Sequence, residues 1–239
     1  MSFSPKKPSH LLALALLVFT IFTIYVPPFL ASTETEEVAE KLTESSILLN
    51  SLLLTIFLIG MPLVWLVIVD GKKLTDALYF IRLKRKNIKT ALAFGLIAFV
   101  GLFVLLIFVS LVMYVSGVRA DNPIGKSIIS NVSLATMIVM FTTQSAGEEV
   151  FFRGFIMKKL EQRVEIWAAI TMAAILFGIA HMGYGNTPQI IITLIVGIFL
   201  GYIVVKTDNL VSSITAHILF NIFIYCIASI ALNRSTLTL

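Results

Sequence analysis

Six stretches of this chain contain no Asp, Glu, Lys or Arg: residues 8–33, 45–69, 90–118, 127–147, 166–205 and 209–233. A helix that crosses a bilayer needs roughly 20 mostly apolar residues. The 166–205 stretch is 40 residues long, about twice that length. It is interrupted between His181 and Pro188, where Gly183, Gly185 and Pro188 mark a turn. The pattern predicts about seven spans. The expected fold is all-α, a polytopic transmembrane helical bundle, read as a single integral-membrane domain over residues 1–239. Composition agrees: 58% of residues are hydrophobic and 13% charged, against about 25% charged in soluble domains. That excludes a disordered tail, a disulfide-stapled secreted module and a soluble nucleic-acid binder. Cys226 is the single cysteine. It cannot form an intrachain disulfide and, with no basic neighbour, reads as a core residue rather than a nucleophile.

Loop charge sets the expected orientation. Residues 70–89 hold seven basic and two acidic side chains, whereas residues 34–44 hold five Glu and one Lys. The positive-inside rule places the N-terminus and the 70–89 loop in the cytoplasm. The fourth span then ends on the cytoplasmic side near Lys158, Lys159 and Arg163, and seven spans leave the C-terminus outside. The net charge of +5 thus reflects basic loops, not a nucleic-acid partner. Lys6 and Lys7 precede the first span as in a signal peptide. That span continues through Pro27 and Pro28 without a small-x-small cleavage site, so it reads as an uncleaved helix. Leu74, Leu78, Ile81 and Ile88 fall near one helical face among lysines and arginines. They predict an interfacial helix over 74–89, lying in the headgroup layer against anionic lipid.

Charges inside the spans are the other informative feature. Residues 140–155 contain Glu148, Glu149 and Arg153 in apolar surroundings. Ionisable groups at membrane depth are costly and mark functional sites. Two of the three histidines, His181 and His217, also fall in spans. Glu148 lies 15 residues before the polar turn at 163–166 and His181 lies 15 residues after it, each about 22 Å away along a helix. An antiparallel hairpin therefore sets them at one depth. His217, eight residues past position 209, comes to a similar depth on the same side. Glu149 and Arg153, at i and i+4, are expected to form an ion pair. Glu148 points about 100° away and is left without a cation on its own helix, which suits a general base for water. His217 and Asn221, also at i and i+4, can both donate hydrogen bonds to an oxyanion. Thr142, Thr143, Gln144 and Ser145 either line a hydrated cavity or bond neighbouring helices.

The three motifs in order are Glu148-Glu149-x-x-x-Arg153, Phe177-x-x-x-His181 and His217-x-x-x-Asn221. Together they resemble the CPBP family of CAAX proteases and bacteriocin-processing intramembrane endopeptidases, also called the Abi family, which includes the type II CAAX prenyl endopeptidase. The resemblance covers about residues 120–235. It implies that Glu148 activates water with help from His181, that His217 and Asn221 stabilise the oxyanion, and that Glu149, Arg153 and Phe177 are supporting positions. The implied reaction is hydrolysis of a peptide bond near the C-terminus of a membrane-bound protein or lipidated peptide, such as a prenylated C-a-a-X end.

No cofactor is favoured. Glu148, His181 and His217 also make a His₂Glu set of the kind that holds catalytic zinc. Asn221 weighs against that reading, because a Lewis-acid metal makes a separate oxyanion pair less necessary. The rival functions are an ion- or proton-coupled transporter, with Glu148 and the histidines as a relay, and a catalytically idle immunity or binding protein. Inverted repeats, the sign of many transporter folds, are not seen in the sequence.

Overall fold

The computed structural model describes residues 3–31, 43–118, 129–182 and 187–236. Much of the acidic 34–44 loop and residues 183–186 of the predicted turn lie outside the described residues. A helix stands at each of the seven places where a span is predicted, and the described residues contain no strand. Helix α1 is Pro8–Ala31. Helix α2, Glu44–Val64, continues into a π-helical turn, Trp65–Val69. A short α3, Leu74–Phe80, leads to α4, Ile88–Val115. Helix α5 is Leu134–Glu148, extended by a π-helical segment, Glu149–Met157, and a last turn, Lys158–Leu160. Then come α6, Ile166–Ile179, α7, Thr187–Thr207, and α8, Val211–Thr236. Five of these helices (α1, α2, α4, α7 and α8) are long and apolar enough to cross a membrane. Helix α5 carries the three inner charges, and α6 is only 14 residues long.

Local sequence explains the helix ends. Thr43 and Ser46 form a reciprocal capping box at the start of α2, satisfying amides that have no partner inside the helix. Ser133 caps α5 by accepting from the Thr136 amide. The Ser133 hydroxyl and amide in turn donate to Glu44, at 2.6 and 3.2 Å. Helices α2 and α5 therefore start at the same end and run side by side in parallel. They touch closely at Gly147, where an added Cβ would come within 3.2 Å of the Leu58 Cβ. Helix α4 lies equally close on α8 at Gly95, where an added Cβ would fall 2.7 Å from the Thr215 Cβ. Small residues at crossings of this kind let membrane helices approach for dispersion packing.

The predicted interfacial helix over 74–89 is shorter than expected. It stops at Phe80, and Arg82 and Asn87 adopt left-handed backbone conformations, φ +61° and +60°, which a right-handed helix cannot continue. The break turns Arg82 inward. Its guanidinium forks onto both Glu161 oxygens at 2.7 and 2.9 Å, and its Nε donates to Asp208 at 3.0 Å. The Leu210 amide donates to the Arg82 carbonyl, and the Asn209 side-chain amide donates to the carbonyls of Lys84 and Lys86. Lys84 also pairs with Asp208, Lys158 with Glu161, and Lys159 with Asp70. One end of the bundle is thus latched by three turns meeting around a buried arginine.

Two results are expected from the latch. Arg82→Ala, which takes the bidentate partner from Glu161, 9% exposed, and leaves it Lys158, should lower stability by roughly 3 kcal/mol. Arg82→Lys should not restore it, because an ammonium cannot reproduce the fork. Unfolding in detergent, followed by circular dichroism, checks both. Asp208 supplies a pH dependence. Burial works to raise its pKa, but the hydrogen bonds and charges of Lys84 and Arg82 outweigh burial and hold it below the usual carboxylate range. Its contribution is therefore complete above the unfolded pKa of about 3.9 and is lost as pH falls through the lower folded value. The stability difference between wild type and Asp208→Asn should shrink over that acidic window. A difference independent of pH there would contradict the ion pairing.

Candidate active site

Helices α5, α6, α7 and α8 border a partly open cavity of about 260 Å³. Glu148, His181, His217 and Asn221 all line it. Its other walls are mostly apolar, with Met137, Met140, Phe141 and Ile224 among them. Helix α5 changes from α to π winding between Glu148 and Glu149. Wide turns of this type occur often at functional sites. Glu148 meets the cavity, while Glu149 is 0% exposed and faces the interior.

Glu149 organises the buried side of the site. Its Oε1 accepts from His217 Nδ1 at 2.9 Å and lies 3.0 Å from Arg153 Nη1. The expected ion pair at i and i+4 is therefore present, and His217 shares it. The Arg153 guanidinium lies over the Phe177 ring, 4.1 Å from its centroid. Phe177 also meets both histidine rings edge-on, at 4.6 Å for His181 and 5.9 Å for His217. It spaces the two imidazoles and covers the cation.

The hydrogen bonds assign the tautomers. A carboxylate only accepts, so His217 donates through Nδ1–H, and its Nε2 stands 3.7 Å from Glu148 Oε2. The Phe177 carbonyl, 2.8 Å from His181 Nδ1, likewise only accepts. The neutral His181 ring then carries its lone pair on Nε2. Asn221 donates one amide hydrogen to Ser145 Oγ at 3.0 Å, which holds its carboxamide at the cavity wall. Gln144 donates to Glu148 Oε1 at 3.1 Å. Gln144 and Ser145 thus fill both roles the sequence allowed, lining the cavity and bonding to other helices.

A His₂Glu zinc site requires three ligands about 2.0–2.2 Å from one point. Among the described residues no group of three His, Cys, Asp or Glu side chains is placed to hold a metal ion.

These features define a helical membrane bundle with a carboxylate, two imidazoles and a carboxamide around one partly open cavity. The family model described as Type II CAAX prenyl endopeptidase Rce1-like matches residues 130–223. That segment contains all seven motif residues, from Glu148 to Asn221. This segment is similar to the Rce1-like type II CAAX prenyl endopeptidases, the family the three motifs also resemble. The apolar helices make the chain an integral membrane protein, and its matched segment is similar to a peptidase family. No curated protein and no solved structure matches it.

Proposed function

We propose that the protein is an intramembrane endopeptidase that cleaves near the C-terminus of membrane-associated proteins, prenylated C-a-a-X ends among them. One observation carries the reading: a base, two imidazoles and a carboxamide from three helices meet at one cavity whose other walls are apolar. Water held by Glu148 and the His181 Nε2 lone pair loses a proton to Glu148 as its oxygen attacks the carbonyl carbon. The oxyanion is received by the second Asn221 amide hydrogen and by Nε2–H of His217 in its imidazolium form. Glu148 then delivers the proton to the leaving nitrogen as the C–N bond breaks. A lipidated C-terminus already sits in the membrane, so such a site meets it without extracting it. We place the N-terminus and the latched end in the cytoplasm, on the strength of the basic 70–89 loop.

Purified protein in detergent, given a farnesylated C-a-a-X reporter peptide with and without a strong chelator, tests the reading. Cleavage that survives the chelator supports glutamate chemistry at Glu148. Cleavage abolished by the chelator and restored by zinc would replace it with metal chemistry. An intact reporter would remove the prenylated substrate class.

A further inference from the structure

We infer that the N-terminal half of the chain positions the Glu148 carboxylate, through a hydrogen-bonded relay from Ser51 on α2 to Gln144 and then Glu148 on α5. The inference rests on the reading of Glu148 as the base. Ser51 Oγ donates to Gln144 Oε1 at 2.9 Å, and Gln144 Nε2 donates to Glu148 Oε1 at 3.1 Å. Only one direction of the relay is consistent. An ionised carboxylate accepts only, so Gln144 must turn its NH₂ toward Glu148. The amide oxygen then faces Ser51, which must spend its single hydroxyl hydrogen on it. A flipped amide would set Gln144 Oε1 against Glu148 Oε1, acceptor against acceptor.

Three further observations make the relay a positioning device. Ser51 is buried, 6% exposed, so bulk water does not readily replace its hydroxyl. Helix α2 packs directly on the backbone beside Glu148, because Gly147 leaves no side chain between them, and this holds Ser51 at a fixed reach. With Oε1 pinned by Gln144, the plane of the carboxylate is set and Oε2 is directed toward the His217 side of the cavity. Fixing a reacting group in its productive orientation lowers the barrier without a contact to substrate. Ser51 lies outside residues 130–223, so the family segment alone does not contain the relay. Ser51 and Gln144 are positioning residues, acting through Glu148.

The test uses the purified full-length protein and the farnesylated reporter. Variants are Gln144→Met, Ser51→Val, Ser51→Thr and the double Ser51→Val/Gln144→Met. Gln144→Met should lower kcat about 10- to 100-fold, as expected for losing a hydrogen bond to a charged group, with KM nearly unchanged. Ser51→Val should lower kcat in the same direction, and Ser51→Thr, which keeps the hydroxyl, should retain wild-type kcat. In the Gln144→Met background Ser51→Val should add nothing, because its effect passes through the missing amide. Infrared difference spectra against Glu148→Gln isolate the Glu148 carboxylate band, which should shift in both Gln144→Met and Ser51→Val. Folded variants with wild-type kcat and an unshifted band overturn the inference. A shifted band in a protein that cleaves nothing supports the relay and overturns instead the reading of Glu148 as the base acting on this reporter.

Discussion

Glu148→Gln is expected to abolish reporter cleavage, lowering kcat by about 10²- to 10⁴-fold, the range contributed by a positioned general base. The substitution keeps the shape of the side chain and its contact with Gln144, but removes the group that takes a proton from water. Stability should fall far less than activity, because Glu148 is held by a neutral amide and a long charged contact rather than by a close ion pair. Its nearest charged-type contact is His217 at 3.7 Å. The measurement pairs a kinetic assay with an unfolding curve on the same preparation. Wild-type cleavage by a folded Glu148→Gln protein would transfer the base role elsewhere. Reporter binding should persist in the variant, since the apolar cavity wall is untouched.

Arg153→Met has the opposite signature, a large loss of stability. Arg153 is 1% exposed and Glu149 0% exposed, and the pair faces hydrophobic surroundings that include Phe151, Phe152 and Phe177. Removing the cation leaves a buried carboxylate held only by neighbours such as His217 and Ser213. Breaking one half of a buried pair costs about 3–5 kcal/mol. Pairing the change with Glu149→Gln removes the stranded charge and should recover a large part of the loss, a non-additivity that a double-mutant cycle resolves. Equal stability of Arg153→Met and wild type would show that the pair does not hold this helix junction together.

The legible part of the molecule was the part written in charge. Long uncharged runs mark helices whatever their partners, and α1, α2, α4, α7 and α8 fall on them. Glu148 and His181 were set at one depth by counting residues from a shared turn, and both line one cavity. What could not be read depends on contacts between distant positions. Ser51 is a single hydroxyl in an apolar helix, and its partner is 93 residues away. Arg82 looked like one more basic loop residue. Its burial follows from Glu161 and Asp208, 79 and 126 residues along the chain. The π-helical winding after Glu148 has no composition of its own, because an i to i+5 bond asks nothing special of the side chains. The break at Arg82, which shortened the predicted interfacial helix, likewise depends on the ion pairs it makes possible.

The length of α6 has a consequence for the surrounding lipid. Fourteen residues rise only about 21 Å, against a hydrocarbon core of about 30 Å. A span shorter than the hydrocarbon core is accommodated by thinning of the bilayer beside it, and α6 ends at Ile179, two residues before His181. Hydrolysis consumes one water per bond broken. A dimple in the bilayer at that point would bring the aqueous phase close to the mostly apolar cavity and shorten the path each water must travel.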